Sequence, residues 1–159
     1  MPVSNAWLLS FSDQYKAAIG NMEMVHILPV VPELTEISQL PNYCKYSIDW
    51  EGQVLPVMNI VSFLAGETEQ QANETCYNNK LIGIVAYNHL ENNKQSYGAF
   101  LLDKVPVRIE VDDKQASDLP ESPAAWEKIA ISCFEHNKGE YVPILDIPGI
   151  FSGIQIPEK

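Results

Sequence analysis

The sequence predicts an all-β protein made of two small, related β subdomains packed face to face, and three observations carry that expectation. Short apolar runs are broken repeatedly by Gly, Pro, Asn, Asp and Ser, the pattern of strands and turns. Apolar residues make up 46% of the chain and charged residues 19%, with 11 prolines and 8 glycines. That balance excludes a disordered tail, a collagen-like repeat and a coiled coil. Finally, the nine residues from Gly52 to Ile60 (GQVLPVMNI) are echoed from Gly139 to Ile147 (GEYVPILDI), 87 positions on. The shared pattern is Gly-x-x-aliphatic-Pro-aliphatic-aliphatic-Asx-Ile, in each case on the second arm of an expected hairpin. At 159 residues the chain fits one domain, 1–159. Neither half, at roughly 75 residues, would bury much core alone, so the two are expected to share one.

Trp7 to Phe11 and Tyr15 to Ile19 form a first hairpin around Ser12-Asp13-Gln14. Met22 to Leu28 gives a further strand, ended by Pro29 and Pro32. Leu34, Ile37 and Leu40 recur every three residues, so Glu33 to Leu40 is expected to form one or two helical turns. Tyr46 to Trp50 and Gln53 to Ile60 make the next hairpin, with Glu51-Gly52 at its turn. In the second arm Val54, Pro56 and Met58 face one way and Leu55, Val57 and Asn59 the other, so the strand is expected to be buried on both sides. Pro56 cannot donate to a ladder, which places it at an edge or a bulge.

Ile60 to Leu64 is expected to curl into a short helix ended by Gly66, and the polar stretch Glu67 to Asn79 to form a connecting loop. Leu81 to Tyr87 and Tyr97 to Val105 pair through the loop Asn88 to Ser96; Pro106 then interrupts, and Val107 to Val111 alternates like a half-exposed strand. Ser122-Pro123 opens a short helix through Lys128. Ile129 to Phe134 and Tyr141 to Ile147 form the last hairpin, and a tail with Pro148, Gly149, Gly153 and Pro157 excludes a long helix.

Ten Lys and Arg against 21 Asp and Glu give a net charge of −11, which repels a phosphate backbone and argues against nucleic acid. Such excess charge also opposes self-association. No run reaches the roughly 20 apolar residues of a membrane span, and the amino terminus shows no secretory pattern. Cys44, Cys76 and Cys133 are an odd, widely spaced set, read as thiols in a reducing cytoplasm. Cys133 and His136 lie three apart but lack a second close pair, so no metal site is assigned, and no cofactor is implied. No nucleophile elbow, phosphate loop or dinucleotide fingerprint is present, so an enzyme is not expected.

The order of these motifs resembles the CheW-like domain, the adaptor module of bacterial chemotaxis and type IV pilus signalling. The likeness runs through the hairpin ending at Tyr15, Leu40-Pro41, Gly52 to Ile60, Gly98 to Val105 (GAFLLDKV) and Gly139 to Ile147. It implies two SH3-like barrels of about five strands each, packed around a shared apolar core, with short helical turns. It also implies a cytoplasmic adaptor without an active site, binding the regulatory domain of a CheA-type histidine kinase and the cytoplasmic tip of a chemoreceptor. Where the family carries Asn-Leu-Arg-Gly, this chain has Asp49-Trp50-Glu51-Gly52, an anion for a cation, which sets receptor binding in question. The family's Val-x-Glu-Ile on the kinase-facing strand stands here as Met22-Glu23-Met24-Val25, with Met24 at the Glu position and Glu23 on the other face. A Gly that commonly precedes the family's hairpin is Tyr46 here.

These departures make Met22, Glu23, Met24, Val25, Tyr46, Asp49, Trp50 and Glu51 the candidate partner-binding residues. Trp50 is the strongest anchor, the competing reading being an indole folded back on its barrel. Met22, Met24 and Val25 suit a soft contact edge, though methionines also fill cores. Asp49 and Glu51, two apart on a strand, share a face as solvated charge or as a carboxylate pair. The alternative to an adaptor is a small ligand-binding protein or enzyme with a cleft between the barrels; it requires a deep pocket with convergent polar groups.

Overall fold

A computed structural model describes residues 3–37, 40–65, 80–121 and 124–154. Two six-stranded sheets account for most of them. The first runs in the order β10 (Ala116–Ser117), β11 (Ala130–Asn137), β12 (Glu140–Leu145), β2 (Lys16–Gly20), β1 (Val3–Ser10), β9 (Lys104–Asp112). The second runs β4 (Thr35–Glu36), β5 (Tyr46–Trp50), β6 (Gln53–Met58), β8 (Gln95–Leu102), β7 (Leu81–Asn88), β3 (Met24–Leu28). Each therefore has five strands of five residues or more and one of two residues. Position by position the two orders pair alike: antiparallel throughout, except one parallel contact, β12 with β2 and β6 with β8. The chain enters the first sheet, builds the whole of the second, and returns to finish the first.

The nine-residue echo explains how the two copies fold alike. Gly52 and Gly139 sit at φ of 80° and 82°, a left-handed turn conformation that a Cβ disfavours. Pro56 and Pro143 each stand one residue before the parallel contact begins, at Val57↔Ala99 and Ile144↔Ala18. Pro56 is thus neither at an edge nor at a bulge, as the sequence suggested: β6 is an interior strand, and its proline occupies the rung the parallel neighbour has not yet reached. The closing Asx caps a short helix in both copies. Asn59 Oδ1 accepts from the Ser62 N–H at 3.1 Å ahead of α1 (Ile60–Ala65), and Asp146 Oδ1 accepts from the Gly149 N–H at 3.1 Å ahead of α2 (Ile147–Ser152). Ile60 and Ile147 then enter the core fully buried.

Three apolar clusters result. One lies within the first sheet (Ala6, Leu8, Ala18, Phe134, Val142), one within the second (Ile48, Leu55, Val57, Ile82, Ile84, Ala99, Leu101). The third lies between them, joining Leu9, Ala17 and Ile19 of the first sheet, and Phe11 of its first turn, to Met58, Phe100 and Leu102 of the second, with Ile60, Ile147 and Phe151 from the short helices. The shared core expected from the echo is this middle layer. The second sheet curls on itself: Trp50 of β5 meets His26 of β3, with ring centroids 6.3 Å apart, although three strands separate them in the sheet.

The structure corrects several local readings. The segment expected to be helical from Glu33 contains instead the two-residue β4, which pairs Thr35 with Ser47 and Glu36 with Tyr46; flanking prolines and the open side of β5 outweigh the three-residue periodicity. Ser38 and Gln39 lie outside the described residues, as do the loop and Gly66 in 66–79, Cys76, and Ser122-Pro123. β3 starts at Met24, not Met22, because Asn21 to Glu23 form a turn. Pro106 does not interrupt a strand: β9 runs unbroken past it, tolerated because β9 is an edge strand and its pairing with β1 shifts register between Leu8 and Ser10.

Gly98 on β8 faces the Phe151 ring so closely that a Cβ there would lie 2.5 Å from Phe151 Cε1. Phe151 also packs edge-on against Phe100 at 5.2 Å and stacks on Tyr87 at 5.6 Å, so it has little room to retreat. Gly98→Ala is expected to lower the unfolding free energy by about 1–3 kcal/mol, read from the shift in urea midpoint at unchanged slope.

Candidate partner-binding surface

The candidate residues lie on two neighbouring features of the second sheet, its edge strand β3 with the turn before it and the β5–β6 hairpin. β3 has β7 on one side and ends the sheet on the other. Its register against β7 steps from Met24↔Val85 to His26↔Ile84, so Val25 is an extra residue bulged out of the ladder. The bulge breaks strand alternation and explains why Val25 and His26 are both exposed. Met22, in the preceding turn, is 87% exposed and Val25 is 42% exposed. Met24 is different: it is half-buried and packs on the middle layer, its Cε near Gly83. The soft edge read from the sequence therefore reduces to Met22 and Val25. Val30, 74% exposed just beyond the strand, extends it and was not singled out by its sequence context.

Glu23 does not stand on a strand face. Its carboxylate folds back to accept from the Gly20 N–H at 2.8 Å and closes the turn by which the chain crosses from the first sheet to the second. The Glu23 backbone carbonyl accepts from the Ala86 N–H at 2.8 Å, tying the same turn to β7. Burial pushes the Glu23 carboxyl above the ordinary carboxylate range; the Gly20 hydrogen bond pulls it down, and the Asp146 carboxylate at the cap of α2 pushes it up again.

In the hairpin, β5 ends at Trp50, and Glu51 and Gly52 form a two-residue turn with φ of 49° and 80°. Positive φ at both central residues matches the twist of a tight hairpin. Glu51 is therefore a turn residue in a left-handed conformation, and it does not share a strand face with Asp49 as the sequence suggested. Both are exposed, without the enclosure that would make them an acid–base pair. Trp50 is half-buried: its indole packs edge-on against Tyr97 at 5.4 Å and near His26 at 6.3 Å. The indole thus folds back on the sheet, as the competing reading has it, while staying partly exposed. Tyr46 lies at the other end of β5, with Lys45 Nζ 5.2 Å from its ring centroid, away from the hairpin tip. His26 and Tyr97 are the additions that sequence reasoning missed; nothing local to either signals that the curled sheet brings them to Trp50.

The cleft alternative has a counterpart in a groove of about 250 Å³ lined by Leu40, Tyr43, Cys44, Met58, Phe63 and Ile150, among others. It is largely apolar, with Lys128 its one charged lining residue among the described ones. Burial pushes the Cys44 thiol up to about 11, which keeps it protonated at neutral pH and poor as a nucleophile. Such a lining suits an apolar side chain and offers no general acid–base pair.

The family model of the CheW-like domain matches residues 7–155. The chain belongs to the CheW-like domain family. Among solved structures, the crystal structure of the scaffolding protein TtCheW from Thermoanaerobacter tengcongensis shares the fold, with a TM-score of 0.68 at 14% sequence identity. The superposition covers 92% of this chain and 86% of that one. No curated protein matches by sequence. The all-β class and the pair of β subdomains agree with this CheW-like fold. No helix among the described residues is long and apolar enough to cross a membrane.

The raised Glu23 pKa sets a direction for pH dependence. A carboxyl with a higher pKa folded than unfolded stabilises most when protonated, and that stability is lost as pH rises through its folded pKa. Glu23→Gln keeps an acceptor for Gly20 but carries no charge. The variant is expected to be more stable than the wild type at about pH 7, with the gap closing toward about pH 4; denaturant midpoints measured across that range check it.

Proposed function

We propose that this chain is a non-enzymatic adaptor of the CheW kind, working in the cytoplasm. It couples the regulatory domain of a CheA-like histidine kinase to the cytoplasmic tip of a chemoreceptor, serving chemotaxis or pilus-driven motility. Membership of the CheW-like family supports the adaptor class. The observation that carries the kinase contact is the bulged edge of β3, where Met22 and Val25 present apolar side chains beside an open strand edge. Desolvating them against a partner strand or apolar patch is favourable, while the backbone edge supplies directional hydrogen bonds. The exposed carboxylates of Asp49 and Glu51 stand beside this edge on the hairpin, where the family carries an Arg. A partner surface that suits the family's cation is repelled there, so the receptor contact of this chain is reshaped or weakened. Whether kinase alone or kinase and receptor together are bound follows from that one turn.

Titration calorimetry with the regulatory domain of a CheA-type histidine kinase from the same organism tests the reading. Binding in the low micromolar range or tighter is expected, and Val25→Lys or Met22→Lys is expected to weaken it at least 10-fold, about 1.4 kcal/mol or more. Ile131→Lys, on β11 of the other sheet, is expected to bind as the wild type does. No heat of binding at tens of micromolar, or a Val25→Lys variant indistinguishable from wild type, contradicts the proposal.

A further inference from the structure

The edge of the first sheet carries a different pattern. β9 ends the first sheet: it pairs with β1, and among the described residues no strand pairs with its other side. Its first residues are guarded in the manner of edge strands, by Lys104 and Pro106. Beyond them the strand reads Val107-Arg108-Ile109-Glu110-Val111.

The partners on β1 assign the faces of these five residues. Val107 stands opposite Leu8 and Ile109 opposite Ala6, both in the apolar cluster of the first sheet, which Ile109 and Val111 flank. Arg108 stands opposite Trp7, with its guanidinium 5.8 Å from the indole centroid, and Glu110 opposite Asn5. Arg108 and Glu110 are exposed on that outer face. Val107 remains 56% exposed although it lies on the apolar side, and Val105 before it is 64% exposed. The apolar row of the sheet thus runs out to an edge with which no other strand pairs among the described residues.

Rotated about a two-fold axis at Ile109, the segment is its own complement. Antiparallel pairing of β9 with β9 of a second copy sets Val107 against Val111, Ile109 against Ile109, and Val111 against Val107 on one face. On the other face it sets Arg108 against Glu110 twice. Every rung joins like with like or cation with anion, and a slip by one residue destroys both features at once. We propose that two copies of this chain pair through these five residues of β9, forming an isologous dimer in which the first sheets become continuous. The occupant is argued from this charge and apolar complementarity. The contact is small and adds two chains of net charge −11, so the dimer is weak and needs salt to screen the long-range repulsion. It forms on the sheet that does not carry β3, and so leaves the proposed kinase edge open.

Sedimentation equilibrium at about 0.15 M salt, where screening confines charge repulsion to about 8 Å, tests it at loadings up to about 0.5 mM, as suits a small interface. The wild type is expected to show a reversible monomer–dimer equilibrium. Arg108→Glu and Glu110→Arg are each expected to weaken dimerisation more than 10-fold, with far-ultraviolet circular dichroism unchanged. An equimolar mixture of the two variants is expected to dimerise again, because a strand carrying only carboxylates then faces one carrying only guanidiniums. A wild type that stays monomeric at the highest loading, a single variant that dimerises as the wild type does, or a mixture that stays monomeric overturns the proposal.

Discussion

The structure depends on the apolar layer trapped between its two sheets. Phe100 from the second sheet, Leu9 and Ile19 from the first, and Phe151 from α2 meet there with almost no exposure. Neither sheet is large enough to stand without that layer. The path of the chain makes the dependence mutual: β1 and β2 are laid down first, but their neighbours β9 and β12 arrive only after the second sheet is complete. Interleaving of this kind couples the two halves more tightly than a linker between separate domains would. Because the halves share one packed interior, side chains on their outer edges are held at fixed separations.

Rigid separation is what an adaptor needs, since its output is the relative placement of two partners. The edges differ in character. β3 is bulged and offers Met22 and Val25 beside a crossing turn locked by Glu23, whereas β9 pairs in even register from Val107 to Asp112 and alternates charge with aliphatic residues. The two-residue strands β4 and β10 close the remaining ends, too short to template another chain. The hairpin carrying Asp49 and Glu51 stands near β3 because the second sheet curls, bringing Trp50 edge-on to Tyr97 and near His26. Both carboxylates are exposed on this tight turn, so the charge at the hairpin tip can change without disturbing the core.

Much of this was legible in the residues. The echo from Gly52 to Ile60 and from Gly139 to Ile147 encodes a turn, a proline rung, a parallel contact and a helix cap, each with its own physical cause, and it foretold two like-folded halves. Glycine and proline punctuation located most hairpins. What failed was local pattern read without its neighbours. The three-residue spacing of Leu34, Ile37 and Leu40 suggested a helix because nothing in the sequence reveals that the side of β5 lies open for β4. Face assignments along Met22 to Val25 assumed strict alternation, which a turn and a bulge both break. Asp49 and Glu51 were set on one face by carrying strand alternation one residue past Trp50 into the turn, where the positive φ of Glu51 breaks it. The meeting of Trp50 with His26 and Tyr97 depends on sheet curvature, a property of the whole sheet and of no short segment.

Native-state hydrogen exchange tests the mutual dependence of the two sheets most directly. If the shared layer holds them as one unit, the protected amides of β7 and of β12 exchange through a single opening. Its free energy then equals that of global unfolding, and both sets respond alike to denaturant. If either sheet's amides exchange through an opening several kcal/mol easier than the other's, the halves are separable and the account is wrong.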